Sequence, residues 1–404
     1  MTFEELEIYF KDHIYSSYER EKYDEFLKSE HFSFVNKSIH ITGTNGKGST
    51  ANFLYHIYKE NGLHVGMYTS PYLSDVTEMI QIDGEKISKD EYLSLFLNYQ
   101  NKFEKYHLSS FEMQTFLAFT YFKQKNLDLV IVEVGMGGFI DATNVITPLL
   151  SIITNVSLEH TAYLGRSVSE IALNKAGIIK ENTPVLVGKL DDSALYAVKE
   201  YAKDMNANLF TLNDYHNERV VDKQLHFDYY PYKDLVINTF AMYQIKNASL
   251  AIEAVKILNS QIPVSEENIK KGLMSNFLIG RYEYLSNNLL IDGAHNPDAI
   301  DNLVESLKEN EHRNIHVVFA SFKDKNIEKM LISLGQISND ITLTAFDHVR
   351  ARNEEDYFLY LGDYKFEPNY LKLVNDLLAN YPDDLVLVTG SLAFVGLFKK
   401  QFIK

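Results

Sequence analysis

The stretch Ser38-Ile39-His40-Ile41-Thr42-Gly43-Thr44-Asn45-Gly46-Lys47-Gly48-Ser49-Thr50 constrains this chain more than any other. A short apolar run passes into two glycine-containing turns, then a lysine and hydroxyl residues. An amphipathic segment follows, with Ala51, Leu54, Tyr55 and Tyr58 at helical spacing and Asn61-Gly62 as its stop. This is the layout of a phosphate-binding loop between a buried strand and a helix. Glycines let backbone N–H groups curl around phosphate oxygens, the lysine supplies a point charge, and the helix N-terminus adds its dipole. The spacing is a variant of the usual pattern, because only two residues separate Gly43 from Gly46 and Gly48 follows Lys47.

Further along, Val65–Thr69, Asp128–Val134, Leu149–Val156 and Pro184–Gly188 read as buried strands. Each is followed by polar or glycine residues and most by a helical pattern, which predicts an α/β fold with a mainly parallel sheet. Ile82–Ile87 reads as a hairpin with Asp83-Gly84 at its turn, and residues 89–125 read as helical. Residues 1–37 read as helical, with Phe3, Leu6, Tyr9 and Phe10 packing under the first domain. In such folds ligands sit beyond the carboxyl ends of the strands, and Gly43–Ser49, Ser70, Glu133 and His160 all fall there. Residues 205–235 read as a less regular sheet or peripheral insert, and a helix with Gln244 and Asn247 near its start runs to about Leu258. The pattern resets near Gly280-Arg281. Strands at Leu289–Ile291, Ile315–Ala320, Ile341–Phe346 and Leu385–Thr389 predict a second, smaller Rossmann-like α/β domain. The expected division is 1–284 and 285–404.

Composition removes several classes of function. With 39 basic against 55 acidic side chains the net charge is −16, which argues against a diffuse nucleic-acid surface. There is no cysteine, so disulfides, thiolate metal sites and cysteine nucleophiles are excluded. Residues 1–30 carry no apolar leader, and no apolar run approaches the roughly 20 residues that span a bilayer. A cytoplasmic monomer without membrane partners is the expectation.

A phosphate loop implies a nucleoside triphosphate, with Lys47 on the β/γ-phosphates and Ser49 near Mg²⁺. Magnesium takes oxygen ligands and keeps waters, so one or two protein ligands suffice. Glu133, at the tip of a buried strand, is a candidate, because a buried acid needs a cation or hydrogen bonds to offset desolvation; the plainer reading is a surface-facing strand-end glutamate. His160 alone reads better as a hydrogen-bonded structural group than as a magnesium ligand. Lys175 lies in an otherwise apolar helical stretch, where spacing favours a snorkelling surface lysine.

Taken together, the motifs resemble the Mur-ligase superfamily of ATP-dependent amide ligases, and within it the folylpolyglutamate synthase and dihydrofolate synthase family. The matching segments are the loop Gly43–Ser49, Thr69-Ser70-Pro71-Tyr72-Leu73, Phe111–Thr115, Glu133–Gly138 with Asp141–Val145, Ile153–Val156, Leu164-Gly165 and Lys175–Lys180. In the second domain they are Gly280-Arg281, Asp292–Pro297, Asp324-Lys325 and Gly390-Ser391-Leu392.

The resemblance implies roles. Gly43, Thr44, Asn45, Gly46, Lys47, Gly48 and Ser49 would bind ATP, with Asn247, Arg281 and Asp292 clamping it from the far side of an interdomain cleft. Two Mg²⁺ ions are implied, with Ser49, Ser70, Glu133 and His160 among their ligands; a monovalent cation is an optional third. Lys175 matches the family's Nζ-carboxylated lysine, which reverses the surface reading and makes it a further ligand if carbamylated. Lys47, His160 and Lys175 are the implied catalytic residues. Ser109, Ser110, Phe111 and Glu112 match dihydropteroate-binding stretches, as do Ile140, Asp141 and Ala142, while His295, Ser321 and Asp324 fall at the glutamate side. The implied reaction activates a carboxylate with ATP as an acyl phosphate, which the amine of L-glutamate attacks; the acceptor is a reduced folate, dihydropteroate, or both. A Mur-type ligase for another carboxylate and a non-catalytic nucleotide-binding paralogue are the alternatives. The former usually carries an N-terminal nucleotide-sugar domain, for which the position of Gly43 leaves no room, and the latter predicts lost phosphate residues. The sequence departs from the family where Tyr72 and Tyr243 replace histidines, Met79 and Phe139 replace arginines, Glu159 replaces aspartate and Asn174 replaces glutamate; Leu278-Ile279 stands where a Trp-Pro pair is usual.

Overall fold

The computed structural model describes residues 1–14, 20–276 and 278–403. It divides into two compact units. The first comprises Met1–His216, Tyr229–Leu235 and Lys246–Asn276; the second comprises Asn217–Asp228, Val236–Ile245 and Phe277–Lys404. The boundary expected at 284 falls inside a strand of the second unit, Glu283–Ser286, whose short sequence Glu-Tyr-Leu-Ser gives no apolar run to mark it.

The first unit is built on β1 (Ser38–Thr42), β2 (Val65–Tyr68), β3 (Ile80–Ile82), β4 (Glu85–Lys86), β5 (Leu129–Glu133), β6 (Leu150–Ile153), β7 (Val185–Val187) and β8 (Leu209–Thr211). They form one sheet in the order β4-β3-β2-β5-β1-β6-β7-β8. β2, β5, β1, β6, β7 and β8 run parallel, and β3 and β4 extend the edge antiparallel. Every residue of β1, β5, β6 and β7 is buried, which is why these strands read as continuous runs without polar alternation. The β3–β4 turn has the expected Asp83-Gly84 pair, both with positive φ.

Helices cover this sheet. The early ones are α1 (Phe3–Asp12), α2 (Arg20–Ser29), α3 (Lys47–Glu60), α4 (Lys89–Tyr106) and α5 (Ser110–Lys123). The helical reading of 1–37 thus resolves into α1 and α2, with 15–19 outside the described residues. The stretch 89–125 is two helices, because His107 turns left-handed after α4 and Ser109 starts α5 with a capping box to Glu112. α1, α2, α4 and α5 pool aromatic side chains into one core, with the Phe26 and Phe116 rings at 4.7 Å. After β6 come α6 (Thr161–Leu164) and α7 (Val168–Ala176), and α8 (Asp192–Asp204) follows β7.

The irregular stretch is a three-stranded sheet of β9 (Tyr215–Val221), β10 (Gln224–Tyr229) and β11 (Tyr232–Ile237), in the order β11-β10-β9. α9 (Tyr243–Leu258) and α10 (Glu266–Ser275) follow.

The second unit is built on β12 (Glu283–Ser286), β13 (Leu289–Ile291), β14 (Ile315–Phe319), β15 (Asp340–Leu343), β16 (Lys365–Phe366) and β17 (Leu385–Thr389), in the order β12-β13-β17-β14-β15-β16. All neighbours are parallel except the β12 edge. Alternate residues feed two cores: Leu290, Val317, Leu385 and Leu387 on one face, Leu289, Val318, Val386 and Val388 on the other. Each such side chain contributes about 1.5–3 kcal/mol on burial.

Candidate active site

β1 delivers Gly43 to the carboxyl edge of the first sheet, and α3 begins at Lys47. Gly46 has φ of 82°, and a Cβ there would lie 2.3 Å from Asn247 Oδ1, so only glycine fits. The loop is fastened from the β6 side. Thr44 N–H donates to the Asn155 carbonyl at 3.1 Å, Asn45 N–H to Asn155 Oδ1 at 2.8 Å, and the Thr154 hydroxyl to the Asn45 carbonyl at 2.6 Å. Lys47 folds back, its Nζ 3.1 Å from the Gly43 carbonyl and 3.3 Å from that of Thr44. These neutral partners are ones an anion could displace at little loss.

Glu133 ends β5 and is 4% exposed. Its Oε2 accepts the Ser70 N–H at 3.1 Å and lies 3.2 Å from where a Gly48 Cβ would stand. The fold therefore joins Glu133, Ser70 and the first turn of α3 at one place, and the strand-end glutamate is buried, not surface-facing. Among the described residues no group of three or more His, Asp or Glu could hold a metal. The donors here are one carboxylate and neighbouring hydroxyl residues, a hard-oxygen set compatible with a magnesium ion that keeps several waters. His160 takes a left-handed conformation (φ 50°) ahead of α6, with Nε2 3.7 Å from Glu159 Oε1.

Lys175, on α7, is 3% exposed, so it does not snorkel. Burial above all, with the like charge of Lys47 and against opposing pulls from Glu159 and Asp141, brings its pKa down to about 7. A buried lysine near that value is partly a neutral amine at pH 7, able to attack an electrophile.

The two stretches expected at the acceptor lie in the same unit. Ser109 and Glu112 cap α5 reciprocally, Ser109 N–H reaching Glu112 Oε2 at 2.7 Å. Glu112 is 2% exposed, its Oε1 has no hydrogen-bond partner among the described residues, and burial raises its pKa. Ser110 is buried, and Phe111 packs against Gly135 so closely that a Cβ there would meet the ring at 2.5 Å. Ile140 is exposed and Ala142 buried. Asp141 is turned inward: Met136 N–H donates to Oδ2 at 2.9 Å, Thr143 N–H to Oδ1 at 2.9 Å, and the Thr143 hydroxyl also to Oδ1.

Sequence reasoning missed several residues here. Arg20, from α2, donates from Nη1 to the Asp141 carbonyl at 2.9 Å. Lys180 Nζ lies 2.7 Å from Asn144 Oδ1, and His40 Nε2 is 2.8 Å from Thr143 Oγ1. The available signal was a histidine inside a run of strand residues. Met79 lies in the aromatic core, and Phe139 is exposed and packs edge-on to Tyr201.

In the second unit, Asp292 follows β13 and is buried. It accepts Tyr282 N–H at 2.7 Å and the Tyr243 hydroxyl at 2.8 Å on Oδ2, and Ala294 N–H at 2.7 Å on Oδ1. Burial raises its pKa while Arg281 opposes; Arg281 Nη1 donates to the Gly293 carbonyl at 3.1 Å. His295 Nδ1 is 2.9 Å from that same carbonyl. Ser321 is buried, and Asp324 pairs with Arg350 at 2.9 Å. Asp292 and His295 thus share one loop, while Ser321 and Asp324 lie beyond β14.

A glycine- and lysine-bearing loop between a central parallel strand and a helix, with a buried carboxylate beside it and a second α/β unit, defines a phosphate-loop nucleotide enzyme. The chain belongs to the Mur ligase family: residues 41–255 match the Mur ligase middle domain and residues 280–392 the glutamate ligase domain. It is 33% identical over 387 residues to the folylpolyglutamate synthase of Lacticaseibacillus casei, covering 90% of each chain. It is 32% identical over 389 residues to the dihydrofolate synthase/folylpolyglutamate synthase of Bacillus subtilis, again over 90% of each. A solved FPGS–AMPPCP–folate complex superposes with a TM-score of 0.88 at 27% identity, covering 100% of both chains. No helix among the described residues is long and apolar enough to cross a membrane.

Proposed function

We propose that this protein is an ATP-dependent ligase that adds L-glutamate to a folate-type acceptor, a reduced folate, dihydropteroate or both. The observation that carries the reading is likeness to folylpolyglutamate synthases along 90% of the chain. The phosphate loop, Glu133 and Lys175 come together with it in one unit.

Residues 1–284 are proposed as the ATP-binding domain and 285–404 as the glutamate-ligase domain. The acceptor carboxylate attacks the γ-phosphorus of ATP, giving an acyl phosphate and ADP. The amine of glutamate, having lost a proton, then attacks the acyl carbon, and inorganic phosphate leaves as the amide forms. Gly43 to Ser49 would cradle the phosphates, with Lys47 exchanging the Gly43 and Thr44 carbonyls for phosphate oxygens. Asn247, Arg281 and Asp292 are proposed as further ATP contacts. Ser49, Ser70, Glu133 and His160 would hold magnesium, which when bound neutralises charge on the transferred phosphoryl group. Lys175 is proposed to act as its Nζ-carbamate, formed by its neutral amine with carbon dioxide. Burial favours that step by disfavouring the ammonium form. Ser109 to Glu112 and Ile140 to Ala142 would form the acceptor side. Asp141 contributes there through the loop it holds, its carboxylate being occupied. His295, Ser321 and Asp324 are proposed for glutamate.

Purified protein with ATP, Mg²⁺ and L-glutamate, offered tetrahydrofolate or dihydropteroate separately, tests the reading. The expected result is acceptor-dependent ADP release with a glutamylated product; neither product nor ADP with either acceptor would overturn it.

A further inference from the structure

Among the buried titratable groups that the proposed chemistry does not use, His40 lies nearest in sequence to the phosphate loop. His40 is fully buried in the middle of β1, with Nε2 2.8 Å from Thr143 Oγ1. The Thr143 hydroxyl has a single proton and gives it to Asp141 Oδ1, since that carboxylate only accepts. The Thr143 oxygen must therefore accept, which puts a proton on His40 Nε2. Burial keeps the ring neutral, pushing its pKa down to about 3, with the Lys180 charge adding to the effect. Among the described residues Nδ1 is buried without a hydrogen-bond partner. An apolar side chain would fill the same slot without that penalty, so packing alone does not account for the imidazole.

Thr42 lies two residues along β1, on the same face as His40. Its hydroxyl donates to the Gly137 carbonyl. The strand that ends in the phosphate loop thus grips the 136–143 loop at two points, Gly137 and Thr143. Between them lie Phe139 and Ile140, which are exposed, and Asp141, whose carbonyl accepts from Arg20.

We propose that His40 is a positioning residue: through Thr143 and Asp141 it sets the register between the phosphate loop and the 136–143 loop, and hence the placement of the acceptor against the γ-phosphate. The inference rests on the reading of Ile140–Ala142 as acceptor-binding.

The test compares the unaltered protein with His40→Leu, His40→Gln and Thr143→Val. The measurements are KM for ATP, KM for tetrahydrofolate and dihydropteroate, AMPPCP affinity by calorimetry, and amide exchange of residues 136–144. Loss of one buried hydrogen bond in this chain predicts an acceptor KM raised about tenfold in His40→Leu, with exchange faster by a similar factor confined to that loop. ATP KM and AMPPCP affinity stay unchanged. His40→Gln, whose amide N–H can replace Nε2–H, restores both. Thr143→Val removes the hydroxyl at constant shape and carries the same expectation should His40→Leu fail to fold. Unchanged exchange, equal shifts in both KM values, or a glutamine variant no better than leucine would overturn the proposal. Absence of turnover in the unaltered protein would instead count against the folate reading alone, and the exchange measurements would then decide on His40.

Discussion

Two side chains carry the same physical lesson at the residue scale. His40 and Lys175 are both buried where an apolar residue would cost less, and both titrations are displaced toward the neutral form. For His40 the folded pKa lies below the ordinary 6.5, so protons bind the unfolded chain preferentially. Its contribution is complete above pH 6.5 and is lost as pH falls toward 3, at about 1.4 kcal/mol per pH unit. Urea unfolding of His40→Gln should therefore fall less between pH 7 and pH 5 than that of the unaltered protein, and an equal fall would mean His40 is not buried neutral. Lys175 has the same sign in a higher window, because protons bind the unfolded chain preferentially between about 7 and 10.5. In bicarbonate-free buffer at pH 7, Lys175→Met should melt at the same or a higher temperature while losing turnover. A melting point lowered by several degrees would show that the ammonium has a stabilising partner. The two differ in legibility: His40 lies inside a run that reads as a buried strand, whereas the spacing around Lys175 favours a surface lysine, and its burial is set by packing that residue spacing does not carry.

At the scale of elements, what could be read locally was read well. The phosphate loop, the Asp83-Gly84 hairpin and the buried strands rest on short-range chemistry, namely glycine spacing, positive φ and apolar runs. Residues 89–125 read as helical without a marked break, because the break turns on one left-handed residue, His107, with no glycine to announce it. The β9–β10 connection hides its signal in the same way: Asp222 and Lys223 both have positive φ, at 51° and 64°, a two-residue turn made without glycine. A left-handed residue other than glycine is strained by about 1–2 kcal/mol. Lys223→Gly should recover about 0.5–1 kcal/mol of that in chemical denaturation, the remainder being offset by glycine's greater unfolded-state entropy. A destabilised variant would mean the Lys223 side chain makes contacts that outweigh the turn.

For the whole molecule, the eight-stranded sheet lies in the first unit and the six-stranded sheet in the second, and the chain passes between the units more than once: 217–228 and 236–245 belong with the second unit although they precede the last segment of the first. Sequence patterning reports runs of one kind of structure, so it suggests two successive stretches and carries no signal of this interleaving. It also sets the terms for a ligand test. A nucleotide bound only to the folded protein stabilises it by about 2.7 kcal/mol at a hundredfold excess over Kd. Among the described residues the Lys47 ammonium hydrogen-bonds the Gly43 and Thr44 carbonyls, so replacing it should cost little stability while removing its charge from the phosphates. Calorimetric melting with saturating AMPPCP should raise the transition of the unaltered protein, whereas Lys47→Ala should melt normally without the analogue and show most of that shift abolished at the same concentration, with turnover lost as well. A full shift in Lys47→Ala would place the triphosphate away from Gly43–Ser49, and a melting point already lowered without nucleotide would make Lys47 a structural residue of the loop.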